Sequence, residues 1–463
     1  MKILFLIKLI FFLLVPGISI CSVSPTVLVK IPSSFQPVGS GARALAMSAF
    51  MAVVDDATAA SWNPGGLSNL KKFECSIVTA YKHLSENSRF NKNPEASGPD
   101  RISNFNINYF SLAYPFKSFN KNMIMALTYQ RLYDLDRKWN FMFHDKNTTD
   151  DYKRLINYEQ HGSLSAIGFS YCIDIFYELA IGFTLNLWDN KLSDNAWDIK
   201  NNQSVSGKIY DIKFSAKMYE IEKFVFSGFN VNLGFLWHAN DNFTIGGVIK
   251  TPFNAKIKHT SNKYENSVMM FDGISPETNQ EGPIKSSTDE NMNMPMSYGL
   301  GCMYKMSDAF YLSGDVYRTD WNKFIYRNSV GDEKSPISGK KIDKSNIKPT
   351  THIRIGGEYY HKIIKTGDVI RLRGGLFYDP VPAEENPDDF FGFSIGTGYV
   401  KKNPYANSDF YDDLYSVDIA YQFRSGRDEG KSLMKSRGFS QKRNEHKIYI
   451  SMIFYGFSKI KQK

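Results

Sequence analysis

From Phe73 onward the chain repeats one pattern. Apolar and polar residues alternate over a short run, a polar break follows, and the alternation resumes. In the run Thr351–Tyr360, Ile353, Ile355, Gly357 and Tyr359 share one side of an extended chain, while Arg354, Gly356, Glu358 and Tyr360 share the other. Ile370, Leu372 and Leu376 likewise oppose Arg371 and Arg373; Tyr415, Val417, Ile419, Tyr421 and Phe423 oppose Ser416, Asp418, Gln422 and Arg424. Successive side chains of a strand point to opposite faces, so each segment has one apolar and one polar face. A soluble sandwich would turn the apolar face into its core, whereas a membrane barrel would turn it to lipid. Alternation alone leaves both open.

Strands are expected at Phe73–Tyr81, Ile102–Tyr114, Met123–Leu135, His161–Ile173, Tyr177–Asp189, Lys223–His238, Asn242–Lys258, Pro295–Lys305, Phe310–Trp321, Thr351–Tyr360, Val369–Tyr378, Phe390–Val400, Leu414–Phe423 and Lys447–Phe457. Long polar connections follow Tyr81, Leu135, Asp189, Lys258 and Trp321. Short ones lie at Pro115–Asn122, Asp174–Phe176, Ala239–Asp241, Met306–Ala309 and His361–Asp368, with Lys401–Asp413 less tight. Long loops at one end and tight turns at the other mark an outer-membrane barrel; a sandwich has no reason to sort loops by parity. The expected fold is all-β, a transmembrane antiparallel β-barrel of about 14 strands. Lys208–Tyr219 also has strand character, but counting it would make the total odd. It is assigned to the long loop after Asp189, as an extension above the membrane. Asn262–Asn293 and Gly331–Lys348 show no core-forming period and are read as irregular.

Ahead of the strands, Ser40–Leu70 has a different character: small residues, with Asp55-Asp56 in the middle and Asn63-Pro64-Gly65-Gly66 near its end. Ala42, Ala44, Ala46, Ala49 and Ala52 favour helix and add little girth. Asp55 or Asp56 can cap a second turn, Ala57–Trp62. Pro64 disfavours helix at Asn63, so the turn stops there, and Gly65-Gly66 permits a reversal. The stretch reads as two short helical pieces shaped to plug a narrow lumen.

Composition narrows the compartment. Aromatic residues make up 15% of 463, mean hydropathy is −0.34, and the charge of +9 is spread without a basic block, so no nucleic-acid partner is expected. Lys2 and Lys8 flank the apolar run Ile3–Val15, followed by Pro16-Gly17, which is the grammar of a secretory signal. Cleavage is expected after Ser19, with the position after Cys21 as competitor; Ile20 is bulky where a lipidated Cys21 would want a small neighbour. Beyond that segment no uncharged apolar run reaches the ~20 residues of a membrane helix. The expected division is 1–19 signal, 20–70 plug and 71–463 barrel. Cys75, Cys172 and Cys302 lack any paired spacing and read as small apolar packing residues.

Candidate chemistry is sparse. Adjacent Asp55 and Asp56 read as helix caps rather than a catalytic pair. The eight His are scattered. No catalytic residue, metal site or cofactor is expected, and alternating Met292, Met294 and Met296 read as flexible packing. Arg354, Arg371 and Arg373 oppose apolar faces and therefore point into the lumen. There they could meet the anionic group of a substrate, although pairing with acids such as Glu358 is the plainer reading.

Several stretches resemble the FadL family of outer-membrane long-chain fatty-acid transporters, which includes channels for aromatic hydrocarbons. They are AVVDDATAASWNPGGL near the N-terminus, IGGVIKTPFNAKIKH from Ile245, MPMSYGLGCMYKMSDAFYLSGDVYRTDW from Met294, and IRLRGGLFYDPVPAEENPDDFFGFSIGTGYV from Ile370. The resemblance implies a monomeric fourteen-stranded barrel in the outer membrane of a Gram-negative cell, plugged by an N-terminal hatch. It implies passive uptake of hydrophobic molecules, long-chain fatty acids or aromatic hydrocarbons, which leave sideways through the barrel wall into outer-membrane lipid. Asp55, Asp56, Asn63, Pro64 and Gly65 would occupy the hatch motif, with Gly65 where the family usually has Ala. The final strand departs from the family: the chain passes Tyr455 and Phe457 and continues to Lys463 instead of ending on an aromatic residue. A structural or secretion-accessory barrel whose long loops bind proteins is the alternative function.

Overall fold

A computed structural model describes residues 41–210, 212–270, 276–384, 386–403, 413–428 and 437–456. The signal segment, Cys21 and the stretch from Phe457 lie outside them. Twenty strands form one antiparallel sheet among the described residues. They are β1 (Glu74–Phe90), β2 (Gly98–Ser118), β3 (Lys121–Asp134), β4 (Arg137–Lys146), β5 (Asp150–Asp174), β6 (Leu179–Asp189) and β7 (Asn195–Ile209). Next come β8 (Ile212–Asn240), β9 (Phe243–Lys250), β10 (Phe253–Met270), β11 (Glu277–Met294), β12 (Ser297–Ser307), β13 (Phe310–Thr319), β14 (Ile325–Arg327) and β15 (Glu333–Lys334). The last are β16 (Thr350–Lys362), β17 (Val369–Tyr378), β18 (Phe390–Lys402), β19 (Asp413–Asp428) and β20 (Phe439–Tyr455).

Fourteen of these, β1, β2, β3, β5, β6, β8, β9, β12, β13, β16, β17, β18, β19 and β20, pair in that order, and β20 pairs back to β1. The sheet therefore closes into an antiparallel barrel, and every expected segment except Asn242–Lys258 falls on one of its wall strands. Burial is inverted relative to a soluble protein. Ile353 and Ile355 are 53% and 57% exposed, whereas Arg354 and Glu358 between and beyond them are 4% and 1% exposed. The apolar face looks outward and the polar face inward, as lipid outside and a polar lumen require. On β20, Ile448, Ile450, Met452 and Phe454 continue the outward apolar band, and on β1 it ends at Tyr81, the partner of Ile448.

Short turns sit at one end. Phe119 and Asn120, with φ of 48° and 55°, make a two-residue hairpin of the primed type between β2 and β3, tighter than the break expected at Pro115–Asn122. At the other end the ladder grows beyond the wall. β4 pairs with the first part of β5, β7 bridges β5 and β8, and β10 pairs with β8 and β11. The described residues of Lys208–Tyr219 lie here, 208–209 ending β7 and 212–219 opening β8, beyond the wall as expected.

Two expectations need correction. Asn242–Lys258 is two strands rather than one: Pro252 offers no N–H for a ladder, and the chain leaves the wall there as β10. Asn262–Asn293 is not irregular, since its described residues belong to the β10–β11 hairpin, paired from Phe253↔Met294 to Met269↔Glu277. Much of that hairpin buries neither face deeply, so it rests on backbone hydrogen bonds that leave no hydrophobic period. Gly331–Lys348 holds only β15 and a 3-10 turn at Ile342–Lys344. Inside the extension an aromatic core gathers Trp139, Phe141, Phe143, Trp197, Phe224 and Phe226, joined by Met292 and Met294.

Candidate lumen site and wall seam

Residues 41–70 run through the lumen, almost all of them buried. Helix α1 spans Ala42–Met47 and α2 spans Ala59–Trp62. Small residues let the backbone itself touch the wall. A Cβ on Gly356 of β16 would stand 1.7 Å from the Met47 carbonyl oxygen, and one on Gly246 of β9 would stand 2.0 Å from that of Met51. Wall side chains then take up the polar groups of the segment. The Ala42 N–H donates to Ser451 Oγ at 2.7 Å, the Phe50 and Met51 N–H groups donate to Asp315, and Thr184 Oγ1 donates to the Ala60 carbonyl at 2.7 Å. Segment and wall satisfy one another, as burial demands.

The five motif residues separate into distinct roles. Asp55 pairs with Arg43. Asp56 turns the other way and accepts from the Thr58 N–H at 2.8 Å, just ahead of α2, while Glu74 accepts from the Ala57 N–H at 2.8 Å. Asn63 closes α2 with φ of −142° and caps the 3-10 turn Pro64–Asn69 by accepting from the Gly65 N–H. Its Nδ2 donates to the carbonyls of Met51 at 2.7 Å and Phe235 at 2.8 Å. Gly65 does not serve a left-handed reversal. Its missing side chain lets the backbone lie on β8, where a Cβ would meet the Phe235 carbonyl carbon at 2.5 Å. Asn63–Gly66 therefore faces β6, β8 and β9, whose ladders run without a break at that level.

The arginines point inward but split between two networks. Arg354 holds Asp379 by both carboxylate oxygens, at 2.6 and 2.5 Å, and His352 Nδ1 donates to the same carboxylate. Arg373 joins Glu358 at 2.6 Å and Asp418, and Glu358 also receives Arg43 from the N-terminal segment. Arg371 lies over the Tyr360 ring at 5.4 Å, and its Nε finds no hydrogen-bond partner among the described residues. Arg354 and Arg373 thus spend their charge on acidic partners. The alternation shows that all three face the lumen; Asp379, Asp418 and Arg43 lie far away in sequence.

On β9, Lys250 donates to the Ser61 carbonyl at 3.1 Å, and no carboxylate lies within ion-pair distance of its ammonium among the described residues. It borders a cavity lined by Tyr133, Trp188, Phe253, Met294 and the amides of Asn186 and Asn230. Nothing in the sequence singles out this lysine, because its isolation from acids is made by the fold.

One wall seam differs from the rest. Rungs between β2 and β3 run from Ser118↔Lys121 to Tyr109↔Gln130 and stop there. β2 continues to Gly98 paired only with β1, and β3 continues to Asp134 paired only with β5. Asn108 sits at the split, left over where the register shifts from Val78↔Tyr109 to Thr79↔Ile107. Side chains bridge the two edges instead. Asn108 Nδ2 donates to the Arg131 carbonyl at 3.1 Å, and Asn104 Nδ2 donates to Asp134 at 2.8 Å. A cavity behind the seam is lined by Lys82, Asn106, Asn108, Arg131, Asp134 and Lys447. The Tyr109 hydroxyl, at the last rung, donates to the Ala57 carbonyl at 2.6 Å and ties the N-terminal segment to this spot. The run NFNIN, with Asn at alternate positions, is the sequence signal for the seam.

A lipid-faced, polar-lined barrel with its lumen occupied by its own N-terminal segment defines a class: the outer-membrane transport barrels. A family model described as outer membrane protein transport protein (OMPP1/FadL/TodX) matches residues 35–428, and the chain belongs to that family, whose members are transport channels for hydrophobic small molecules rather than enzymes. Among solved structures, a Pseudomonas aeruginosa FadL homologue superposes with a TM-score of 0.57 at 12% identity, covering 90% of this chain and 98% of that one. The Pseudomonas putida toluene transporter TodX gives 0.51 at 13% identity, over 90% and 98%. At such identities the likeness establishes the fold. An outer membrane protein of Neisseria meningitidis serogroup B is 24% identical over 256 residues, so the match spans half of this chain and half of that relative.

Proposed function

We propose that this chain is a passive channel through which hydrophobic molecules cross the outer leaflet and leave sideways, between β2 and β3, into the bilayer. The observation that carries the reading is the ladder that ends at Tyr109↔Gln130 while both strands continue. The split begins inside the outward apolar band and runs past its upper edge, the level of Tyr81 and its β2 partner Phe105. A solute leaving there passes from lumen to lipid without entering water. Residues 41–70 act as a hatch: they fill the lumen below the seam, and Asn63, Pro64 and Gly65 anchor them to β8 and β9. The cavity beside Lys250 has aromatic walls and a cation, but at about 30 Å³ it would have to widen before it could hold a substrate. Of the three arginines on β16 and β17, Arg371 is the one still able to meet a carboxylate, since Arg354 and Arg373 are engaged.

Cells making the protein should take up labelled hexadecanoate faster than cells lacking it. A disulfide between Asn108→Cys and Arg131→Cys should stop this uptake, and a reductant should bring it back to the slower rate of the same variant with free thiols. A control bridge between Ile355→Cys and Leu376→Cys, facing rungs of β16 and β17, should change nothing. Uptake that persists with the seam bridged would sink the lateral route, and uptake of several hydrophobic probes equal to that of cells without the protein would sink transport itself.

A further inference from the structure

The lumen side of the seam is not apolar, and its chemistry selects among solutes. Asn104, Asn106 and Asn108 stand at alternate positions of β2 and so share the inward face. Asn104 faces two carboxylates, Asp134 and Asp136, and Asn108 faces a carbonyl; these groups accept, which fixes the Nδ2 atoms toward them. The Oδ1 atoms of all three amides are buried, and none has a hydrogen-bond partner among the described residues. Each is an acceptor waiting for an N–H or O–H, and leaving such a group unsatisfied is costly. Beside them stand three cations, Lys82, Arg131 and Lys447, while Asp134 is the one carboxylate lining the cavity. Lys82 lies 2.9 Å from Asp134, and Lys447 is held by Glu445 at 2.5 Å. The Arg131 contact with Asp134 is looser, at 3.7 Å, and its Nε has no hydrogen-bond partner among the described residues.

We infer that this seam is a head-group track for single-chain amphiphiles whose head carries an anionic group next to an O–H or N–H donor, as in hydroxylated or N-acylated acids. This rests on the lateral route proposed above. A hydrocarbon meets neither need of the track, and a simple carboxylate meets only the cations. A head with both an anion and a donor bridges Arg131 and the amide oxygens at once. The seam straddles the upper edge of the apolar band, so the head can stay on the polar track while the tail swings into lipid. Asn104, Asn106, Asn108 and Arg131 are then the residues that determine specificity.

The test compares cellular uptake of labelled N-hexadecanoylglycine, a hydroxyhexadecanoate, hexadecanoate and hexadecane. In the native protein the two donor-bearing probes should enter faster than hexadecanoate, and hexadecane slowest. Replacing the three amides together (Asn104→Leu, Asn106→Leu and Asn108→Leu) should slow the donor-bearing probes about tenfold, to the level of hexadecanoate, and leave hexadecane unchanged or faster. Because that variant could fail to fold, Arg131→Gln supplies a second measurement. It should slow all three acids while sparing hexadecanol, and the heat-dependent gel shift of the barrel should remain native. If the hydroxylated probe loses its advantage and the N-acyl probe keeps it, the donor is an amide; the reverse assigns a hydroxyl. Equal rates for the donor-bearing probes and hexadecanoate in the native protein would overturn the inference and leave lateral transport standing. Entry of none of the probes would overturn both.

Discussion

Two stretches of the same wall show opposite solutions. Between β16 and β17 the rungs run unbroken from Ile353↔Tyr378 to Lys362↔Val369, and behind them Arg43, Glu358, Arg373 and Asp418 form a buried charged network. Between β2 and β3 the rungs stop half-way, and the edges are joined by asparagine side chains. A ladder with ion pairs behind it is rigid, and it holds α1 of the N-terminal segment through Arg43. A seam bridged by single amide bonds can part at the cost of a few exchangeable hydrogen bonds. One barrel thus keeps a fixed side that carries the N-terminal segment and a yielding side, where the proposed exit lies.

The largest effect should come from breaking the fixed side. Glu358→Ala would take one of two acidic partners from each of the buried Arg373 and Arg43, leaving Asp418 and Asp55, and cost about 3 kcal/mol. Denaturant unfolding in detergent would register this, whereas Asn106→Leu in the seam should cost under about 1 kcal/mol; equal losses would erase the contrast. Next in size is Gly356→Val, whose side chain collides with the Met47 backbone and should loosen α1 by about 1–3 kcal/mol. Limited proteolysis within residues 41–70 would report it. Gly98→Val at the free end of β2, where nothing lies within 4 Å, should leave the digestion pattern native.

The smallest effect concerns the extension above both regions. There His259 lies between Glu222 at 3.2 Å and Glu290 at 3.3 Å and stacks on Phe224 at 4.2 Å. Burial alone would lower its pKa, but its bonds to the two carboxylates carry it up to about 9. Since the folded value is raised, its stabilisation is complete below the unfolded value of ~6.5 and is lost as pH rises through about 9. Amide exchange in the β10–β11 hairpin should therefore quicken about threefold more between neutral and pH ~10 than it does in His259→Gln. An identical pH response in the variant would show that the cluster does not hold the hairpin. The seam below should give the same exchange in both proteins.

How much of this was legible beforehand depends on range. The wall strands were legible because side-chain alternation is set residue by residue. The parity of loop lengths placed them in a barrel, and the helical character of Ser40–Leu70 was visible in its alanines and in Asn63-Pro64. Adjacent Asp55 and Asp56 read alike as caps, but the structure sends Asp55 to Arg43 and only Asp56 to the Thr58 N–H. The β10–β11 hairpin was not legible, since a ladder exposed on both faces leaves no apolar period. Nor was the true use of Gly65, which depends on β8 lying against it.

The sequence by itself determined which face of each strand meets lipid, where the chain turns, and that Arg354, Arg371 and Arg373 point inward. Those features follow from covalent geometry and local composition. Only the tertiary structure decided which arginines are neutralised, which lysine stands alone beside a cavity, and which pair of neighbouring strands lets go. Each of these depends on groups that closing the barrel brings together from distant parts of the chain. The end of the β2–β3 ladder also depends on a register shift between β1 and β2, and pairing register is a property of two strands, not of either one.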